Sequence, residues 1–189
     1  MNQKHQRNKE ALQGFLKSFK WSHLITVEPS PGWPFSNEEI AQRFRQIEFD
    51  LNKRWLPSSF PKWQFDDRFW MICFAEGDNI VHQKHFHLLL HSPDPGVYRQ
   101  DKQLRYQTPA GFIAYRWLTL PSLWPDQRDR TLKPLDIRAL DETEDAERAA
   151  IYVSKTYKAQ SSGYDILSEN ISWWDFLTPP NPQRRYKAV

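Results

Sequence analysis

Two apolar segments joined by a short polar turn constrain the fold of this chain more than any other feature. The first covers residues 68–76 (RFWMICFAE), and the second covers about residues 82–91 (HQKHFHLLLH). Both are rich in aromatic and aliphatic side chains of the kind that favours β-strands. Between them, Gly77-Asp78-Asn79 is typical of a turn. The pattern therefore predicts an antiparallel hairpin in the middle of the chain.

Further helices and strands are predicted on both sides of this hairpin. Strands are expected at residues 22–28 (SHLITVE) and, more weakly, at residues 135–139. Ser36 and Glu39 form a capping box for a helix to about residue 54, and Thr108-Pro109 begins another to about residue 118. Thr143 begins a last helix to about residue 159. This mixture predicts an α+β domain with a central, largely antiparallel sheet and flanking helices.

Length and composition exclude several classes of protein. The 189 residues fit a single domain over residues 1–189, with a core at about 22–159, a polar N-terminal extension and a proline-rich, basic tail from 178 to 189. The hydrophobic fraction of 39% and nine tryptophans argue against disorder. Because Cys73 is the only cysteine, disulfide scaffolds and cysteine-based zinc sites are excluded. No signal peptide or membrane span is recognisable, so we expect an intracellular protein without membrane contact.

The second strand of the hairpin carries three histidines on one face. Side chains alternate along a strand, so His85, His87 and His91 point to one side together with Leu89, and Phe86 points to the other. Residues two apart on a strand are about 7 Å apart, so His85 and His87 can bind one metal ion. His91 lies about 13 Å beyond His87, which is too far for the same ion.

A third metal ligand is expected from the preceding strand. Glu76 ends that strand, and antiparallel pairing can bring its carboxylate opposite the histidines. Two imidazoles and a carboxylate, with open positions for phosphate oxygens, suit Mg²⁺ or Mn²⁺. His82 competes with Glu76 as third ligand, since a bulge near the turn can change the alternation. The plain structural alternative is a sheet whose polar face carries solvated histidines.

The predicted last helix contains Tyr152-Val153-Ser154-Lys155. Its apolar positions recur at helical spacing and are expected to pack on the sheet: Ala146, Ala149, Ala150, Val153 and Tyr157. Tyr152 lies at the edge of this stripe, and Lys155 follows on the same flank. A nearby metal ion and cation would favour the phenolate form of the tyrosine. An amphipathic tyrosine beside a solvated lysine is the alternative.

The combination of these motifs resembles the HUH endonucleases. Members of that superfamily carry two histidines around a bulky hydrophobic residue, as in His85-Phe86-His87, and a tyrosine nucleophile. The order of the motifs and the Y-x-x-K form, here Tyr152 and Lys155, resemble the branch of rolling-circle replication initiators (Rep). Residues 24–27 (LITV) look like the early strand motif of Rep proteins. The resemblance covers about residues 22–159 and implies a sheet of about five antiparallel strands.

The resemblance also implies an activity, a metal and a partner. Tyr152 would attack a phosphate of single-stranded DNA at an origin or hairpin nick site, forming a 5′-phosphotyrosine and a free 3′-OH. Lys155 would stabilise the charged groups, and His85, His87 and Glu76 would hold Mn²⁺ or Mg²⁺. Rejoining makes the protein a strand transferase. Its expected compartment is the cytoplasm of a bacterium, or the nucleus or an organelle in a eukaryotic or viral system.

Other functions remain open at this point. No G-x-x-x-x-G-K-[ST] motif occurs, so a helicase is expected to be a separate partner, unless the sequence stops at a domain edge. A single-strand transposase would use the same chemistry in another biological role. A non-catalytic single-strand binder would instead stack bases on aromatic side chains such as Trp63 and Trp124. If Tyr152 is not the nucleophile, Tyr157 is the next candidate.

Overall fold

The hairpin predicted from the sequence forms the centre of the sheet. A computed structural model describes residues 3–28, 37–62, 65–76, 85–99, 108–119, 135–140, 143–154 and 171–172. We number strands and helices in chain order, so that the hairpin consists of β2 (Trp70–Glu76) and β3 (His85–His91). The two strands pair antiparallel, with Met71 opposite Leu90 and Glu76 opposite His85. The predicted turn at residues 77–79 and His82 lie outside the described residues.

Two further strands extend the sheet beyond β3. Strand β1 (His23–Val27) pairs antiparallel with the free side of β3, and β4 (Leu135–Ala139) pairs antiparallel with β1. The two-residue strand β5 (Ile171–Ser172) pairs with the outer edge of β2, so the strand order is β4-β1-β3-β2-β5. The predicted antiparallel sheet of an α+β domain is therefore confirmed.

Four α-helices accompany the sheet in the described part of the chain. They are α1 (Gln3–Lys17), α2 (Asn37–Trp55), α3 (Pro109–Thr119) and α4 (Thr143–Ser154). Short 3₁₀ turns occur at Phe60–Lys62, Phe65–Asp67 and Pro95–Val97. At the start of α3 the Thr108 hydroxyl accepts the Gly111 N–H at 3.0 Å, which confirms the predicted cap. None of the helices in the described ranges is long and apolar enough to cross a membrane.

Helix α1 was not predicted, because most of its side chains are polar. Its apolar side is narrow: Leu12 and Leu16 are buried, while Gln6, Glu10 and Lys17 are exposed. Residues four apart lie on the same side of a helix, so the two leucines pack together, and partly buried Phe15 packs against the same core. The segment that the sequence indicated as a polar extension thus includes a helix that packs on α4.

Both faces of the sheet are covered by helices. Helices α2 and α3 cover one face, where Phe86, Leu88 and Leu90 of β3 join the larger core. Helices α1 and α4 cover the other, where Leu89 of β3 joins the second core. The alternation predicted along β3 is therefore confirmed. Since the face that carries the histidines is covered by α1 and α4, it is not the solvated face of the alternative interpretation.

Candidate catalytic site

The two histidines of the H-x-H motif lie side by side on β3, under α4. The ring centroids of His85 and His87 are 4.9 Å apart, and the rings are nearly perpendicular, at 85°. His85 is half-buried, and His87 is only 2% exposed. Strand pleating places both rings on the same face, as the spacing predicted. The pair thus presents two imidazoles to one region at the end of the strand nearest the hairpin turn.

Tyr152 reaches the same region from α4. The centroid of its ring is 5.1 Å from that of His87, in an edge-to-face arrangement at 76°. Tyr152 remains 41% exposed, although Ala149 and Val153, one turn or less away on α4, are buried. The sequence placed Tyr152 at the edge of the apolar stripe of α4 but could not place it beside a histidine. The structure brings the tyrosine and the H-x-H motif together.

Small buried residues hold α4 against the sheet and α1. Ala149, Ala150 and Val153 are at most 5% exposed, as the predicted stripe requires. Alanine side chains allow close approach of the helix, and the valine fills the space one turn on. The hydroxyl of buried Ser154 accepts the Gln13 amide N–H at 3.0 Å and donates to the Ile151 carbonyl at 2.9 Å. These contacts fix the last turn of α4, which carries Tyr152.

Thr26 of β1 contacts the ring of His87 directly. The register pairs Thr26 with His87, and Thr26 Oγ1 lies 3.0 Å from His87 Nδ1, a hydrogen-bonding distance. Sequence reasoning assigned Thr26 only to a strand and missed this contact. Alternation along β1 puts Thr26 on one face, but the neighbouring strand and its register were needed to identify its partner.

Glu76, the expected third ligand, is placed by the backbone register. It is paired with His85 across β2 and β3, and residues directly opposite in an antiparallel pair share a face of the sheet. Its side chain is not among those that the structure describes. Lys155 and Tyr157 likewise lie outside the described residues, beyond the last described residue of α4.

His91 lies on the same strand face but takes no part in this site. Its ring is 9% exposed, with Nδ1 at 2.9 Å from the Lys20 carbonyl oxygen and Nε2 at 3.0 Å from the Asp66 carbonyl oxygen. The ring also lies 5.8 Å from that of Trp70, centroid to centroid. His91 therefore links three segments of backbone, in agreement with its predicted distance from the metal ligands.

The side-chain chemistry of the site fits a hard divalent ion if a carboxylate joins the imidazoles. Among the side chains that the structure describes, no three His, Cys, Asp or Glu residues form a group that could hold a metal ion. His85 and His87 supply two nitrogen donors, and the register puts Glu76 opposite the first of them. Cys73 is buried on the opposite face, where burial raises the pKa of its thiol, so it supplies no thiolate.

Comparison with known proteins gives no match to this chain. No family model matches the chain, and neither a curated protein nor a solved structure matches it. The motifs and the arrangement of His85, His87, Tyr152 and Thr26 are therefore what bears on the function of this chain.

Proposed function

We propose that this protein is a metal-dependent endonuclease that nicks single-stranded DNA through Tyr152 and initiates rolling-circle replication. One observation carries the proposal: the ring of Tyr152 packs edge-on against His87, next to His85. The tyrosine and the histidines belong to motifs far apart in the chain. Their meeting under α4 is what a shared reaction site requires and what the resemblance to Rep proteins implies.

The exposure of these rings suits a reaction on a large substrate. Tyr152 is 41% exposed, so its hydroxyl can meet a phosphate in a bound strand, whereas His87 is held in the covered sheet. The Tyr152 oxygen gives up its proton and bonds to phosphorus. The bond from phosphorus to the 3′ oxygen breaks, and that oxygen takes up a proton and leaves as the 3′-OH. The 5′-phosphotyrosine bond conserves the free energy of the broken phosphodiester bond, so a 3′-OH can attack it and rejoin the strand.

His85, His87 and Glu76 would hold Mn²⁺ or Mg²⁺ in this proposal. Such an ion would draw negative charge from the phosphate during the attack. Lys155, one residue after the last described residue of α4, would add positive charge near the same phosphate. Replication would also need a helicase activity, for which residues 1–189 contain no phosphate-binding loop.

Covalent capture of DNA tests the proposal. Wild-type protein, Mn²⁺ and a library of single-stranded and hairpin DNA should give an adduct that survives denaturation and disappears when a chelator removes the metal. Tyr152→Phe should give none. Tyr115→Phe is the matched control, because Tyr115 is 38% exposed on α3, a helix that packs on the opposite face. Bound DNA without any adduct would support a non-catalytic binder, and an undiminished adduct with Tyr152→Phe would exclude this nucleophile.

A further inference from the structure

Thr26 lies where it can control the protonation site on the ring of His87. The two residues are opposite each other on β1 and β3, and Thr26 Oγ1 is 3.0 Å from His87 Nδ1. On its other side His87 is opposite Phe74, whose side chain has no hydrogen-bonding atom. The strand neighbour that can make a side-chain hydrogen bond to the ring is therefore Thr26.

The chemistry of imidazole makes this contact consequential. A neutral imidazole carries one proton, so one nitrogen donates and the other holds a lone pair. If Nδ1 donates to the threonine oxygen, the lone pair lies on Nε2, the nitrogen at the tip of the ring. A metal ion needs that lone pair, and its ligating histidines are commonly oriented by a hydrogen bond to the other nitrogen.

The hydroxyl of Thr26 is not required to build the strand. β1 also contains Ile25 and Val27, and valine has the same branched shape and an equal preference for strands. Thr26 is half-buried beside a ring that is 2% exposed, so its hydroxyl is part of a covered polar contact. The contact with His87 therefore accounts for a threonine, rather than a valine, at position 26.

We infer that Thr26 is a positioning residue for His87: its Oγ1 accepts from Nδ1–H and so leaves the lone pair on Nε2, where it would be available to the proposed metal ion. The inference rests on the proposed metal-dependent function of the same site. It adds a residue of β1 to a site otherwise formed by β2, β3 and α4.

Nitrogen NMR of the metal-free protein tests this without any measurement of nicking. In a pH series, the ¹⁵N shifts of His87 in the wild type should identify Nδ1 as the protonated nitrogen of the neutral ring. Thr26→Val should lose this preference and weaken Mn²⁺ binding by about 10-fold to 100-fold in calorimetry. Thr26→Ser, which keeps the hydroxyl, should restore both. Thr119→Val is the control, because the Thr119 hydroxyl contacts the Tyr115 and Arg116 carbonyl oxygens of its own helix, α3, which packs on the opposite face of the sheet.

Two results would overturn the inference. One is a wild-type His87 protonated on Nε2, and the other is a Thr26→Val variant whose tautomer and Mn²⁺ affinity are unchanged. A general loss of structure in Thr26→Val would be recognised from its thermal unfolding and separated from the local effect by the serine variant. Failure of the nuclease proposal has a different signature, since the wild type would then form no DNA adduct whatever the tautomer of His87.

Discussion

The two ends of β3 use the same side chain for different purposes. His87 and His91 lie on the same face of one strand, and both are buried. At His91 both ring nitrogens lie within hydrogen-bonding distance of main-chain carbonyl oxygens, which can only accept. At His87 the partners include a hydroxyl, which can donate or accept, and a tyrosine ring.

This difference separates a histidine whose two ring nitrogens both contact the main chain from one that we propose binds a metal ion. Carbonyl partners on both nitrogens leave the ring of His91 no atom for a metal ion or a phosphate. A hydroxyl partner on Nδ1 of His87 is compatible with a lone pair on Nε2. Asparagine places an amide near the position of Nδ1 and has no atom at the position of Nε2. The same substitution should therefore mainly reduce activity at His87 and mainly reduce stability at His91.

The largest expected effect is on the activity of His87→Asn. The amide of asparagine can keep the contact with Thr26, while the atom proposed to bind the metal is lost. We expect the rate of adduct formation to fall by about 100-fold or more, since loss of a direct ligand should exceed the usual effect of a supporting group. Single-turnover assays with Mn²⁺ measure the rate, and urea unfolding should show a much smaller change in stability. Activity near the wild-type rate would remove His87 from the reaction.

A smaller effect, on stability, is expected for His91→Asn. The amide can reach the Lys20 carbonyl, but the contacts with the Asp66 carbonyl and with Trp70 are lost. Because Asp66 is exposed, water can replace the partner of its carbonyl, and we expect a cost of about 0.5–1.5 kcal/mol of unfolding free energy, typical of one hydrogen bond. Urea unfolding measures this cost, and nicking per folded molecule should remain within about threefold of wild type. Equal losses of activity in the two asparagine variants would refute the division of roles along β3.

The smallest expected effect concerns Tyr98, which follows the His91 end of β3. Burial raises the pKa of Tyr98 to about 12, with a smaller opposing effect from a hydrogen bond to Ser92. The folded protein thus keeps this proton where the unfolded chain loses it, at about pH 10. Stability from this group is complete below about pH 10 and is lost as the pH rises toward about 12.

Unfolding by urea at several alkaline pH values checks the sign of this effect. Tyr98→Phe has no proton to lose, so its stability should fall less steeply than that of the wild type over the same range. The difference should be small because Tyr98 is only half-buried. Parallel pH profiles for the two proteins would show that the environment of Tyr98 does not favour its protonated form. This prediction tests only the His91 end of β3. Tyr98 packs there on Phe69, in the core on the α2 and α3 side of the sheet.

Much of the fold could be predicted because the signals are local. The alternation in His85-Phe86-His87 assigned the faces of β3, and the spacing of Ala146, Ala149, Ala150 and Val153 assigned the buried side of α4. Helix α1 was missed because two buried leucines among many polar residues give a weak periodic signal. The role of Glu76 as a ligand stays a prediction, supported at the level of backbone register by its pairing with His85.

The sequence by itself determined which side chains share a face, because strand and helix periodicities follow from backbone geometry within a few residues. Only the tertiary structure decided which faces meet. The path of the chain puts α4 on the histidine side of the sheet, and the register of β1 puts Thr26 beside His87. Those arrangements depend on contacts between distant segments, where packing of Leu16, Leu89 and Val153 selects one side of the sheet. No local pattern around Tyr152 contains that information.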